Sequence, residues 1–169
     1  MARVSAAATL SAWRWFALAA AVVLADQVSK ALVLGRFALG ERLEVTGFFN
    51  MVLVYNKGAA FSFLSDAAGW QTPLLIAFAV VAIGIVGTLL VRSPGRRMLC
   101  TGLALILGGA LGNLIDRLRF GQVVDFLDFH AQGWHWPAFN VADSAITIGA
   151  ALLILEGFLH HEGRAGASS

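Results

Sequence analysis

The sequence is poor in charged residues, which make up only 13% of its 169 positions. A water-soluble domain carries about 25% charge, so the composition excludes an ordinary soluble globule. Only two of the 12 basic residues are lysines, and the basic residues are scattered rather than grouped into a stripe that would follow phosphates. Nucleic-acid binding is therefore not expected. Because 59% of the residues are apolar, we predict an integral membrane protein.

Cysteine and metal-ligand patterns are equally scarce. The single cysteine, Cys100, lies inside an apolar run, which excludes an intrachain disulfide and a cysteine-based metal site of the usual spacing. His160-His161-Glu162 lacks the spacing that places two histidine ligands on one helix face. The sequence therefore implies no metal and no organic cofactor.

Four apolar stretches are long enough to cross a bilayer, for which about 20 residues suffice. The surest is residues 67–91, which contain no Asp, Glu, Lys or Arg. We predict one integral membrane domain over residues 1–169. Its spans cover about residues 13–34, 70–91, 98–116 and 139–159.

The first of these stretches has two interpretations. Arg3 and Arg14, followed by an apolar run ending in small residues at Ala25, resemble a cleavable signal peptide. If Asp26 and Lys30 face the interior of a helix bundle, the run is instead long enough to span, and the i,i+4 spacing lets these charges pair. We expect the segment to be retained.

An even number of spans places both termini on the same side of the membrane. The short link between the second and third spans carries Arg92, Arg96 and Arg97. Short basic links stay in the cytoplasm. We therefore expect cytoplasmic termini, with the segments around residues 35–66 and 117–138 on the outer side.

The first outer segment has the composition of β-strands. Leu43–Tyr55 is rich in Val and Phe and is followed by the turn-forming residues 56–58. A short helix over Ala59–Leu64 is expected to follow. The predicted architecture is an all-α membrane protein of four transmembrane helices with a small β-sheet between the first two.

Ionisable residues within spans need a partner or a purpose, because a charge at the centre of a spanning helix costs about 2.5 to 3.5 kcal/mol on insertion scales. Asp26 has Lys30 as a potential partner, and Asp116 has Arg117 and Arg119. Asp143 has no cation within four residues on either side. Its partner must therefore come from elsewhere in the fold.

Two further acids, Asp125 and Asp128, precede Asp143 in the second outer segment, and either can reach it if a loop folds back against the helix. Two carboxylates sharing a partly desolvated site divide one proton and can activate water against an amide, as in aspartic proteases. Spacing alone does not choose between the two acids, and for Asp125 alone it favours a solvated loop acid. Asp143 is equally compatible with a helix N-cap or a first-turn acid that binds free helix amides.

Five sequence segments resemble those of one known family, the bacterial lipoprotein signal peptidases, or signal peptidase II. They occur in the family's order and extend from the first span to the fourth. The segments are residues 26–30 (DQVSK), 55–61 (YNKGAAF), 108–117 (GGALGNLIDR), 123–126 (VVDF) and 139–145 (FNVADSA).

The resemblance implies an inner-membrane aspartic endopeptidase with its active site near the periplasmic face. Such enzymes remove the signal peptide from prolipoproteins, on the amino side of a diacylglyceryl-modified cysteine. The partners expected are these substrates and membrane lipids, and the chain is expected to be monomeric. The family's catalytic pair corresponds to Asp125 and Asp143. Its supporting polar positions correspond to Asp26, Lys30, Asn56, Asn113, Asp116, Arg117 and Asn140.

Alternatives remain for the supporting residues and for the class of protein. Asn113 and Asn140 can orient a carboxylate or a substrate backbone, or simply cap helices. Arg117 can bind a polar lipid group or pair with Asp116. A transporter would use Asp143, Asp26 and Lys30 as an ion relay, but the second span has no ionisable residue to continue it. A structural subunit would need no isolated acid at position 143.

Overall fold

The computed structural model describes residues 6–58, 70–93 and 95–165. It contains four long helices and four strands within these ranges. The helices are α1 (Ala6–Leu34), α2 (Gln71–Arg92), α3 (Arg97–Phe120) and α4 (Val141–Ala165). The strands are β1 (Arg42–Thr46), β2 (Phe49–Asn56), β3 (Val123–Ala131) and β4 (Trp134–His135).

All four helices are long and apolar enough to cross a membrane, which confirms the predicted fold class. The spanning portions are Ala12–Leu34, Gln71–Arg92, Arg97–Phe120 and Val141–Leu159. The third helix is longer than predicted and ends at Phe120. The next residue, Gly121, has a φ of 71°, the left-handed conformation that follows many helices.

Helix α3 lies at the centre of the bundle and packs against the other three helices. Glycines let it approach them closely, as the Gly108 and Gly112 spacing indicates. A Cβ atom at Gly108 would lie 2.7 Å from the Ala19 carbonyl oxygen of α1, and one at Gly112 would lie 2.6 Å from Asp26 Oδ2. This close packing brings the polar residues of α1 against those of α3.

The strands form one antiparallel array in the order β1-β2-β3-β4. Strands β1 and β2 confirm the prediction for Leu43–Tyr55, whereas the short helix expected over Ala59–Leu64 lies outside the described residues. Strands β3 and β4 were expected to be a loop, and the structure corrects this. Their two-residue turn has positive φ at both Gln132 and Gly133, and this pair is not among the usual sequence signals of such turns.

Strand β3 joins the sheet to the start of α4. Leu127 N–H donates to the Phe139 carbonyl oxygen at 2.8 Å, and Phe139 N–H donates to that of Leu127 at 3.1 Å. These two hydrogen bonds form a bridge between Leu127 and Phe139, which holds the first turn of α4 beside the middle of β3. The two parts of the chain that carry Asp125 and Asp143 are therefore tied together by backbone hydrogen bonds.

Candidate active site

Asp125 is buried in β3, with only 1% of its surface exposed. Each of its carboxylate oxygens accepts an amide hydrogen bond, Oδ2 from Asn56 Nδ2 at 3.1 Å and Oδ1 from Asn140 Nδ2 at 2.7 Å. Burial, and then the charge of Asp143, raises the pKa of Asp125 to about 7. Asp125 can therefore hold a proton near neutral pH.

Asp143 lies in the first turn of α4, as its sequence context indicates. Its Oδ1 accepts a hydrogen bond from Asn113 Nδ2 at 2.7 Å, and its backbone N–H donates to Asn140 Oδ1 at 2.9 Å. Asp143 is therefore not the helix cap. That position belongs to Asn140, and the Asp143 carboxylate remains available for another task.

Asn140 connects the two acids. It is fully buried, and while its Oδ1 caps α4 its Nδ2 donates to Asp125. Both interpretations of this residue, helix cap and orienter of a carboxylate, thus hold at once. The same Nδ2 lies 3.2 Å from Asn113 Oδ1, so the two asparagine amides form a continuous link between Asp125 and Asp143.

The orientation of Asn113 is set by Lys30, whose Nζ donates to Asn113 Oδ1 at 3.1 Å. An ammonium group only donates hydrogen bonds, so the oxygen of this amide must face Lys30 and its nitrogen must face Asp143. Asn113 therefore presents a donor to the carboxylate.

Lys30 also forms two ion pairs, with Asp26 Oδ2 and with Asp116 Oδ2, both at 2.8 Å. The Asp26–Lys30 pair predicted from i,i+4 spacing is confirmed. The expectation that Asp116 pairs with Arg117 or Arg119 is wrong. Arg117 points about 100° away from Asp116 around the helix axis. Arg119, three residues on, contacts the Phe120 ring, and packing against α1 brings Lys30 to Asp116 instead.

The two arginines beside Asp116 have other contacts. Arg117 Nη2 donates to the Gly58 carbonyl oxygen at 3.0 Å and so joins α3 to the end of β2. The Arg119 guanidinium lies 5.0 Å from the centre of the Phe120 ring. Arg117 is thereby placed at the rim of the site.

Asp128, the alternative acid, is buried in β3 rather than solvated in a loop. It accepts a hydrogen bond from Asn50 Nδ2 at 2.9 Å and is hydrogen-bonded to His135 Nδ1 at 2.9 Å. Burial raises its pKa, but the Asn50, His135 and Arg42 contacts together outweigh burial, and the net pKa is lowered. Residues three apart on a strand face opposite sides, so Asp128 has partners different from those of Asp125.

Gln27 joins the polar cluster formed by Asp26, Lys30 and Asp116, a contact that its sequence context alone does not predict. Its Nε2 lies 2.9 Å from Asp116 Oδ1 and 3.1 Å from Asp26 Oδ2. Its position beside Asp26 in an otherwise apolar helix was the available signal. Among the described residues, no group of three or more His, Cys, Asp or Glu side chains is placed to hold a metal ion.

These features define a class of protein: a polytopic membrane enzyme in which asparagine amides join a buried carboxylate, Asp125, to a partly buried one, Asp143. The chain matches the family described as signal peptidase (SPase) II over residues 18–159. It is 59% identical over 142 residues to the lipoprotein signal peptidase of Paraburkholderia phytofirmans, covering 84% of this chain and 83% of that one. It is 53% identical over 150 residues to the lipoprotein signal peptidase of Cupriavidus necator, covering 89% of this chain and 86% of that one.

A solved structure described as a bacterial membrane enzyme superposes on the chain with a TM-score of 0.79 at 29% identity, covering 89% of this chain and 90% of the other. The chain therefore belongs to the signal peptidase II family, as the five sequence segments indicated. It is a multi-pass bacterial membrane peptidase, and the transporter and structural-subunit alternatives are set aside.

Proposed function

We propose that Asp125 and Asp143 are the catalytic pair with which this peptidase removes signal peptides from prolipoproteins, cutting on the amino side of the diacylglyceryl-modified cysteine. The observation that carries the assignment is the double use of Asn140, which donates to Asp125 and accepts the backbone N–H of Asp143. One buried side chain thus binds the carboxylate of Asp125 and holds the backbone of Asp143. This arrangement suits a pair that must share one proton.

In the reaction, a water molecule lies between the two carboxyl groups. The ionised acid takes a proton from the water as its oxygen attacks the scissile carbonyl carbon, and the protonated acid supplies a proton to the amide nitrogen as the C–N bond breaks. The raised pKa of Asp125 suits it to hold the shared proton. Asn56, Asn113 and Asn140 hold the carboxylates by their amide hydrogens, and Lys30, Asp26, Asp116 and Arg117 support the surrounding helices and sheet.

The direct test is incubation of the purified protein in detergent with a peptide that carries a diacylglyceryl cysteine. We expect a single cut before that cysteine, and unchanged cleavage in EDTA because carboxylates activate the water. The matched control is the same peptide without the lipid, which should be cut far more slowly. Activity lost in EDTA and restored by zinc would contradict the aspartic mechanism, and equal cleavage of both peptides would contradict the substrate class.

We further propose that both termini are cytoplasmic and that the sheet and the catalytic pair face the periplasm. The basic link between α2 and α3, which carries Arg92, Arg96 and Arg97, supports this orientation. The sheet strands follow α1 and α3, so they lie at the opposite end of the bundle from this link. Because α1 contributes Asp26 and Lys30 to the polar cluster, the site also requires that α1 be retained.

Reporter fusions test the orientation. A reporter inserted at Gly95 or fused after Ser169 should be active only if it works in the cytoplasm, whereas one inserted at Gly40 should be active only if it works outside. As a control, each fusion should be the only copy of the enzyme in its strain. Continued processing of prolipoproteins then shows that the fusion protein still folds. A periplasmic signal from Gly95 would reverse the arrangement and place the two acids on the wrong side.

Lipids and subunit number complete the proposal. Helix α2 exposes large apolar side chains such as Phe78, Val81 and Ile85, which suits contact with acyl chains. Among the described residues, the side-chain amides that bind the two carboxylates lie in the same chain as the acids, so the site needs no second subunit, and we propose a monomeric enzyme.

A further inference from the structure

The Asp26–Lys30–Asp116 cluster is buried beside the two proposed catalytic acids without being part of the pair. The exposed fractions of Asp26, Lys30 and Asp116 are 0%, 2% and 1%. Removing three charges from water is costly, and such a cluster is often no more stabilising than apolar residues of similar volume. Its presence in a spanning region therefore calls for a role other than bulk stability.

Each acid of the cluster binds the backbone next to one proposed catalytic acid. Asp26 Oδ1 accepts the N–H of Ala142, the residue directly before Asp143, at 2.9 Å. Asp116 Oδ2 accepts the N–H of Val124, the residue directly before Asp125, at 3.1 Å. The two contacts come from different helices, α1 and α3, and reach two different elements, α4 and β3.

Lys30 joins these two contacts, because its Nζ lies 2.8 Å from both Asp26 and Asp116. An ammonium group has three hydrogens, and Lys30 Nζ has three acceptors, the third being Asn113 Oδ1 at 3.1 Å. Each hydrogen thus has a protein partner, and none is left for a substrate. This geometry indicates a residue that positions others rather than one that reacts.

We propose that Asp26, Lys30 and Asp116 form a clamp that sets the separation of Asp125 and Asp143 by holding the backbone amide that precedes each of them. Lys30 is the positioning residue at its centre. The inference rests on the proposed catalytic pair and adds to it the device that controls its geometry. A displacement of about 1 Å in reacting groups can cost about 100-fold in rate, so such a device matters for turnover.

The physical basis is the need of both amides for an acceptor. The Ala142 N–H belongs to the first turn of α4, where backbone donors have no partner within the helix. Without Lys30, the carboxylates of Asp26 and Asp116 would repel each other and draw α4 and β3 apart. With Lys30, the two contacts are held at a common point.

The test compares Asp116→Asn with Asp116→Ala in the lipopeptide cleavage assay. Asparagine keeps an oxygen that can accept the Val124 N–H, whereas alanine removes it. We expect Asp116→Asn to retain kcat within about tenfold, and Asp116→Ala to lose at least about 100-fold, each with KM nearly unchanged because the residue does not touch substrate. Lys30→Met should resemble Asp116→Ala.

The matched control is Glu156→Gln, which removes a partly buried ion pair with Arg96 Nη2, 3.0 Å long, near the other end of α4. Glu156 lies about 20 Å along the helix from Asp143, so kcat should not change. If Asp116→Ala fails to fold, Lys30→Met takes its place, because it keeps both acceptors and removes only the ammonium group that joins them.

Three results would overturn the clamp. The asparagine variant could be as inactive as the alanine variant, the alanine variant could keep the kcat of the asparagine variant, or the variants could change only KM. The unsubstituted protein separates the two proposals. If it does not cleave the lipopeptide, the proposed function fails. If it cleaves and Asp116→Ala cleaves equally well, only the clamp fails.

Discussion

Asp125→Asn and Asp143→Asn should each abolish cleavage of the lipidated peptide. Either change keeps the size of the side chain but removes a titrating group, so water can no longer be deprotonated while the leaving nitrogen is protonated. General acid and base steps are typically worth about 10² to 10⁴ each. Residues that act as a unit are not additive, so the double variant should be hardly worse than either single one. Initial rates on the lipopeptide measure this directly.

Asp128→Asn is the matched control, since it changes another buried acid of the same strand. Its Asn50 and His135 contacts are separate from the Asn140 link, so we expect most activity to remain, with some loss of thermal stability from the weakened β3–β4 hairpin. All three proteins must be compared at equal folded fraction in detergent. If Asp128→Asn is inactive while Asp125→Asn is active, the pair has been assigned to the wrong acid of β3. If Asp125→Asn and Asp128→Asn are both active, the aspartic mechanism is rejected.

Asn140→Asp should separate folding from catalysis at the residue that links the acids. Aspartate is as good a helix cap as asparagine, so the start of α4 should be preserved. The change nevertheless replaces the amide that donates to Asp125 Oδ1 at 2.7 Å by a third carboxyl group. Losing a preorganised donor costs about 10² to 10³ in kcat, and repulsion between carboxylates adds to this loss. We expect a folded protein with kcat lowered at least 100-fold.

Asn140→Ala provides the comparison, because it removes both the cap and the donor. It should lose activity to a similar degree and, in addition, about 1 kcal/mol of stability through the missing cap. Thermal unfolding in detergent, measured beside the cleavage rate, distinguishes the two variants. If Asn140→Asp keeps full activity, Asn140 is only a cap, and the argument that it orients the catalytic pair is wrong.

The sequence was sufficient to predict the helices and the first two strands. A spanning helix satisfies its own backbone hydrogen bonds and needs only a long apolar stretch, so each span can be recognised without its neighbours. The Asp26–Lys30 pair was predictable for the same reason, since both residues lie on one turn of one helix. The choice of Asp125 over Asp128 came from the family resemblance, because spacing along the chain treats them alike.

The sequence did not predict strands β3 and β4, because what makes these segments extended is pairing with residues distant in the chain. The acids of residues 123–131 interrupt a simple alternation of apolar and polar residues, and the strand forms because β2 supplies backbone partners along it, such as Val54 opposite Asp125. Once the strand exists, Asp128 faces Asn50 and His135 and becomes buried. Its environment therefore depends on strand pairing rather than on its neighbours in sequence.

The sequence by itself determined the membrane class, the number of spans and the set of polar residues that the spans must accommodate, because hydropathy and composition act locally. Only the tertiary structure decided which of these residues meet. Close packing of α3 on α1 at Gly108 and Gly112 brings Lys30 to Asp116 rather than leaving Asp116 to its neighbouring arginines. The bridge between Leu127 and Phe139 then places Asn140 between Asp125 and the backbone of Asp143. In a low-dielectric interior each buried charge or amide must have a partner, and which partner it has is set by the helix and strand faces that pack together.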